Sequence, residues 1–319
     1  MYNFCTLFDS NYLPRALVMY HSLVATDEDF TLYVVCFDNL ALELLNKLKL
    51  AHLIAIPLSD FESKELLAVK KTRTAGEYCW TCTPHVIRHV LDTYKLVQVT
   101  YLDADLCFYQ KPSVLLEELK QANASVLITE HRYTPIYDYS ATSGIYCVQF
   151  MTFNRDERGL EALQWWQDRC LEWCYNRHED GKFGDQKYLD DWKTRFEGVH
   201  VLQHLGGGVA PWNVQQYKVH LSKNNIYVDE YPIVFYHFQD YKYYKNGIHD
   251  FIGGCRLSVD AVELLYRPYS LAILKAYDQI YEVDQGFNRG WALQDVSFVG
   301  KFNYFKRMIR GVANEHRIL

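Results

Sequence analysis

What the chain lacks narrows the choices before any motif is read. It has no surplus of positive charge: 33 Lys and Arg against 39 Asp and Glu leave a formal net charge of −6 over 319 residues, which argues against a general nucleic-acid footprint. It has no apolar run of membrane-spanning length, and nothing at Met1 reads as a signal peptide. It has no paired cysteine framework either, because its nine cysteines are an odd number scattered along the whole chain. Cys79-Trp-Thr-Cys82 has CxxC spacing without a second such pair, so packing explains it better than zinc or redox chemistry. These absences predict a reduced, cytoplasmic protein. No Gly-x-Gly-x-x-Gly follows the first strand-like segment, which disfavours a nicotinamide dehydrogenase. No internal repeat or low-complexity linker divides the chain.

What is there is ordinary globular composition, 49% hydrophobic and 23% charged, with length enough for a sizeable core. Tyrosine is the exception: 26 Tyr, with 7 Trp and 17 Phe, bring aromatic content to 16%. Most of these rings fill half-buried positions, but an apolar face with a polar tip also suits surfaces that hold sugars or bases.

Hydrophobic periodicity predicts strand, helix, strand, helix, strand over YNFCTLFD, RALVMYHSLVAT, FTLYVVCFD, LALELLNKLKL and HLIAIPL. That alternation begins a parallel sheet with right-handed crossovers. A helix over TPHVIRHVLDTY then feeds the strand KLVQVTYLDAD. Beyond it, SVLITEH and SGIYCVQFMTF read as strands, GLEALQWWQDRCLEWCYNRH as a long helix, DQKYLDDWKTRF as a shorter one, and VHVLQHL and PIVFYHF as strands. From Leu257 onward the pattern is helical to the end.

The segment VTYLDADLCFY, residues 99–109, puts Asp103 and Asp105 at the carboxyl end of an apolar strand, where open α/β sheets bind ligands. In a strand, residues two apart share a face, so the two carboxylates project side by side and repel. A divalent cation is the usual remedy for hard oxygen ligands.

Leu-Asp-Ala-Asp followed by LCFY resembles the DxD motif of GT-A nucleotide-sugar glycosyltransferases, and the order of the other motifs resembles glycosyltransferase family 8 and its bacterial relatives. The resemblance spans roughly residues 1–250. It implies an α/β, Rossmann-like GT-A fold, a mainly parallel sheet flanked by helices, with residues 1–256 as the catalytic domain and 257–319 as a helical C-terminal appendage. It implies that Asp103, Asp105 and His237, the last in FYHF, ligate Mn2+ or Mg2+ on the donor diphosphate. TLFDSNYLPRALVMYHSL is similar to the family's first strand, turn and helix, which implies that Thr6, Leu7, Asp9 and Tyr12 hold the nucleotide, with Tyr12 stacked on a uracil base. FGDQKYLDDW resembles the segment lining the donor sugar, which implies a catalytic-site role for Asp185 and Gln186; Asp185 also reads as a helix N-cap.

ATSGIYCVQF resembles the family's Asn-x-Gly-Val strand and places Ser143 and Gly144 at the sugar, with Thr142 or Ser143 standing where the family has Asn. HLGGGVAPWN is similar to a Gly-rich acceptor- and phosphate-side loop, with Trp212 as a stacking platform. After FYHF the chain runs QDYKYYK instead of the family's Lys-Pro-Trp ending, which leaves the phosphate-contacting lysine open between Lys242 and Lys245. EYCWTCTP carries Trp80 toward the donor but no basic residue where close family members have one; Arg73 and Arg88 are the nearest substitutes.

The resemblance implies a UDP-sugar donor, a glycan or lipid-linked saccharide acceptor in cell-surface polysaccharide or lipopolysaccharide synthesis, and retained anomeric configuration. An inverting enzyme is the alternative and needs a general base; Asp190, Asp191 and Asp240 are its candidates. A sugar-nucleotide-forming nucleotidyltransferase fits less well, because FDSNYLPRA lacks the glycines of its first loop. A decayed carbohydrate-binding protein is opposed by intact Asp103, Asp105 and His237. Finally, KFNYFKRMIRGVANEHRIL sets Lys301, Lys306, Arg307, Arg310 and Arg317 among Phe302, Phe305, Met308, Ile309 and Val312. At helical spacing this is a basic amphipathic face, suited to peripheral attachment at an anionic inner leaflet or, equally, to docking on the protein's own body.

Overall fold

The computed structural model describes residues 1–295 and 297–318; the side chains of Phe298 and Lys301 lie outside that description, and with them the Lys301 part of the expected basic face. The opening alternation is β1 (Tyr2–Phe8), α1 (Leu13–Ala25), β2 (Phe30–Cys36), α2 (Asn39–Leu48) and β3 (Leu53–Pro57). Two short helices, α3 (Leu58–Phe61) and α4 (Lys64–Lys70), precede the long α5 (Ala75–Thr93). Then follow β4 (Gln98–Leu102), β5 (Leu106–Phe108), α6 (Ser113–Gln121), β6 (Val126–Glu130), α7 (Ser140–Ser143), β7 (Tyr146–Asn154), α8 (Glu157–Glu172), α9 (Trp192–Arg195) and β8 (Val199–Val201).

These strands form a seven-stranded sheet in the order β3-β2-β1-β4-β7-β6-β8. Only β7 runs against the rest, pairing antiparallel with β4 and β6, while β1–β2, β2–β3, β1–β4 and β6–β8 are parallel. This mainly parallel sheet with helices on both faces is the expected architecture. Alternation along the strands feeds two cores. Phe4 and Phe8 of β1 and Leu32 and Val34 of β2 face α1, α2 and α6; Cys5, Leu7, Tyr33 and Val35 face α5 and α8.

Four boundaries differ from the sequence expectation, the first being that α8 stops at Glu172 and does not run on through His178. Helix α5 starts at Ala75 because Thr74 and Glu77 form a reciprocal capping box; Gly76 and Pro84 within it masked the helical pattern. The expected helix over DQKYLDDWKTRF is a 3-10 turn, Lys187–Asp191, followed by the single turn α9, because the buried Leu189 and Trp192 pin the segment against the core. The C-terminal part is not helical to its end.

After β8 a small meander of β9 (Val219–Ser222), β10 (Asn225–Val228) and β11 (Tyr231–Pro232) leads to β12 (Phe235–His237), which pairs with β5. Two more short strands, β13 (Lys242–Tyr243) and β14 (Ile248–Asp250), precede α10 (Val259–Ala261), a π turn over Val262–Tyr266, α11 (Arg267–Val283) and α12 (Phe298–Ile309). The last strand, β15 (Glu315–Arg317), closes on β14. Helix α11 packs on the first core: Tyr269 stacks on Phe238 at 3.7 Å, and Tyr236 and Tyr266 share a hydroxyl hydrogen bond of 2.9 Å. Among the described residues no helix is long and apolar enough to cross a membrane.

Candidate active site

Strand β4 ends at Leu102, and Asp103-Ala104-Asp105 is the tight turn into β5, so the two acids converge through a turn and not through the pleat. Strand β12 fixes the third member. His237 lies opposite Leu106 in the β5–β12 ladder, and the Phe238 N–H donates to the Asp105 carbonyl at 3.0 Å. His237 Nε2 comes within 3.1 Å of Asp105 Oδ1 and 3.7 Å of Asp103 Oδ2. The ligand atoms of all three residues lie within 4.8 Å of one another.

A fully buried Gln149 sets the imidazole. His237 Nδ1 donates to Gln149 Oε1 at 2.8 Å, because an amide oxygen only accepts, and this turns Nε2 toward the acids. That Nε2 is buried without an aligned hydrogen-bond partner. Gln149 reaches this position through a bulge: the β6–β7 register shifts between Leu127 and Thr129, which re-aims β7 side chains at that point.

The electrostatics match. Burial and Asp105 push Asp103 up to about 6 against the opposing pull of His237. Burial also favours the neutral form of Asp105, but the charges of His237 and Arg15 outweigh it and lower its pKa. Burial disfavours imidazolium at His237, yet Asp105 and Asp103 raise it well above the ordinary value. Three groups that hold a shared proton so awkwardly, with an orphaned imidazole nitrogen between two carboxylates, fit a divalent cation such as Mn2+ or Mg2+.

Two cavities meet at this triad. One, of about 340 Å³, is lined by Leu7, Asp9 and Tyr12, the first turn of α5 at Ala75 and Gly76, and Asp105. The other, of about 490 Å³, is lined by His131, Tyr133, Ser143, Asp185, Gln186 and Trp212, with His237. Trp80, Thr83, Tyr101, Asp103 and Gln239 border both. A β-carbon on Gly76 would meet nothing within 4 Å, so glycine keeps that wall open. Pro84 removes the N–H that would bond the Trp80 carbonyl, on the same cleft-lining turn.

The second cavity is walled by rings. His131 stacks on Tyr133 at 4.6 Å, and Trp212 meets the edges of His131 at 5.2 Å and His237 at 5.5 Å. Trp212 Nε1 donates to the His131 carbonyl at 2.9 Å. Burial and the nearby Asp103 push Asp185 up to about 8. Gln186 Nε2 donates to the Ser143 carbonyl at 2.6 Å, so the two sugar-side segments named from sequence touch each other.

Other residues singled out in sequence lie elsewhere. Thr6 is fully buried in β1 with an unpartnered hydroxyl and borders neither cavity. Gly144 turns the chain at φ 104° with the Asp190 carboxylate against it. Arg73 lies over the Tyr175 ring at 3.9 Å and donates to the Leu171 carbonyl, Arg88 bonds Asp92, and Lys242 pairs with Asp240 at 2.8 Å. Lys245 lines a separate cavity beside Trp291. Gly206, Gly207 and Gly208 do not open onto a ligand: added β-carbons would collide with Pro232, Leu202 and Thr129, so these glycines serve close internal packing.

Sequence reasoning missed His131, Tyr133, Tyr101 and Gln149. It also missed Arg15, whose guanidinium is buried between the Tyr12 and Tyr243 rings, 4.8 Å from each centroid, and donates to the Tyr241 carbonyl at 2.8 Å. The tyrosine surplus was the one signal for the aromatic wall.

The sheet order, the turn-borne acid pair and the paired cavities define the GT-A fold of nucleotide-sugar glycosyltransferases. Two solved structures show the same fold: the galactosyltransferase LgtC in complex with donor and acceptor sugar analogues (TM-score 0.52, 11% identity, 94% of this chain and 99% of that one) and an active-site mutant of LgtC (TM-score 0.51, 11% identity, 86% and 95%). No family model matches the chain. It is 30% identical to the uncharacterized protein YfnD of Bacillus subtilis (strain 168) over 307 residues, 93% of this chain and 98% of that protein. It is 34% identical to the uncharacterized protein YfnF of the same organism over 248 residues, 75% of this chain and 81% of that protein. The chain therefore belongs to the family of YfnD and YfnF.

Proposed function

We propose that this protein is a metal-dependent glycosyltransferase that moves a sugar from a nucleotide diphosphate, a UDP-sugar, to a saccharide or lipid-linked acceptor in cell-surface polysaccharide synthesis. The observation that carries the reading is the meeting of Asp103, Asp105 and the Nε2 of His237 where the two cavities join. A cation held there neutralises charge that develops on a departing diphosphate. Tyr12 offers a ring face for the base in the smaller cavity, and Asp185 and Gln186 meet sugar hydroxyls in the larger.

Retention with front-side displacement is favoured over inversion by what occupies the candidate bases. Asp190 is tied to Lys187 and the Ile145 N–H, Asp191 to Arg195, and Asp240 to Lys242, and none borders the sugar-side cavity. Residues 1–256 then serve as the catalytic domain and 257–319 as a buttressing appendage. Helix α12 exposes Phe302, Phe305, Met308 and Ile309 beside Lys306 and Arg310, a face suited to the anionic inner leaflet where a lipid-linked acceptor resides; Arg307 is instead bound to Asp250 at 2.7 Å.

Titration calorimetry with UDP and GDP, with and without Mn2+, tests the reading. Tight UDP binding that needs Mn2+ and disappears in Asp105→Ala, with the melting temperature little changed, is the expected result. Nucleotide binding indifferent to Mn2+, or none at all, overturns it.

A further inference from the structure

We propose that the sugar-side cavity is built for a sugar without a carboxylate, so that the donor is a neutral or amino sugar nucleotide and not a uronic acid one. The inference rests on reading the cleft as a nucleotide-sugar site and goes beyond it to the class of sugar.

Asp103 and Asp185 stand in the wall of this cavity, Asp105 lines the adjoining smaller one, and Asp185 is only 5% exposed. A single dication matches the two acids of the turn and leaves nothing over for a further anion in the sugar pocket. The cations adjoining the wall in sequence have other partners: Arg177 bonds Glu179, and Lys182 Nζ lies over the Trp173 ring at 5.3 Å. Lys187 Nζ bonds Asp190 and the Ser140 carbonyl, each at 2.7 Å. Arg132 bonds the Gly207 carbonyl, Arg256 the Arg310 carbonyl, and Lys242 pairs with Asp240. Arg15 lies behind the Tyr12 ring, on the nucleotide side.

A carboxylate leaving water for a protein cavity needs a cation or several charge-assisted donors, and arginine is the residue that suits its two oxygens. This wall offers instead neutral hydrogen-bonding groups at Thr83, Ser143, Gln186 and Gln239, and ring faces at Tyr133 and Trp212. Those are the partners of hydroxyls and of the C–H face of a pyranose. An added carboxylate would share this poorly solvated space with Asp185, whose own buried carboxyl already resists ionisation there, with no cation beside it to hold the new charge.

Matched donors isolate the charge. UDP-glucose and UDP-glucuronate differ only in CH2OH against carboxylate at the sugar's sixth carbon, as do UDP-galactose and UDP-galacturonate. Binding of each to the full-length protein with Mn2+ is measured by calorimetry, with UDP as the reference and UDP-glucuronamide as an uncharged analogue of uronate size. The uronate is expected to bind at least about tenfold more weakly than its neutral partner in both pairs, about 1.4 kcal/mol, and the amide to bind within a few-fold of UDP-glucose. Equal or tighter uronate binding in either pair overturns the inference. So does an amide rejected as strongly as the acid, because size would then be the cause. UDP binding with no detectable binding of any sugar nucleotide also overturns it, because the cavity would not be a sugar site. Failure of UDP itself to bind refutes the glycosyltransferase reading separately.

Discussion

The two sides of the cleft are built by different means. The cavity proposed for the nucleotide is assembled from regular elements at their ends: the last residues of β1, the entry to α1, the first turn of α5 and the turn between β4 and β5. The cavity proposed for the sugar is assembled mostly from loops and short turns around residues 131–145, 176–186, 211–212 and 237–255, with Cys147 and Val148 from the start of β7. The first kind of surface follows from contiguous sequence, because strand ends and helix starts carry local rules. The second depends on tertiary packing that brings loop tips together.

The largest expected effect removes what the two sides share. Gln149→Leu keeps the volume but deletes the acceptor for His237 Nδ1, and partners of a metal-ligating histidine are worth roughly 10- to 100-fold in metal affinity. We expect Mn2+ affinity, measured by calorimetry, to fall in that range, and the two-bond 15N–1H correlations of the metal-free histidine to lose the Nδ1–H signature. Affinity within twofold of the unsubstituted protein would reduce Gln149 to core filler.

The comparison sharpens if each side is damaged alone. Tyr12→Ala is expected to weaken UDP binding roughly tenfold, within the range for loss of one base–aromatic stack, while the KM for acceptor stays put. Trp212→Ala is expected to weaken sugar-nucleotide binding about 2- to 10-fold, the range for one lost aromatic contact, with UDP affinity unchanged. Crossed effects would mean that the two cavities act as one.

The smallest effect belongs to the sugar side alone. Burial pulls His131 down to about 3. The unfolded chain therefore takes up a proton near pH 6.5 that the folded protein refuses, and stability falls as pH drops through that value. Between pH 7 and 6 this one group accounts for about 0.7 kcal/mol. Urea unfolding at the two pH values should show that share missing in His131→Gln; an unchanged difference would assign the acid sensitivity to other groups.

The same contrast explains how much of the molecule was legible beforehand. Alternating strands and helices located β1 to β4 and the crossover helices, because core burial forces periods of 2 and 3.6 on the residues. The acid pair was readable since two aspartates break an apolar run, although their convergence comes from a turn. His237 was legible only through resemblance; nothing local distinguishes it from a core histidine such as His249, which is equally buried. Gln149 was hidden inside an apolar strand, where a bulge invisible to periodicity re-aims it. Arg15 looked like an ordinary helix residue, and only the distant Tyr241 and Tyr243 reveal that it is buried. The triple glycine misled for the opposite reason: small residues suit close approach to anything, and here the neighbour is the protein itself.

The pairing of β5 with β12 has a consequence for how such a molecule can diversify. The turn acids and His237 are held at fixed separation by a three-residue ladder, Phe108 to Leu106 against Phe235 to His237. The more than one hundred residues between those strands form a closed excursion whose ends are clamped together. Insertions or deletions in the loops of that excursion, outside β6, β7 and β8, can remodel what is recognised without disturbing the clamp. A slip of one residue in the ladder would instead swing the imidazole to the opposite face.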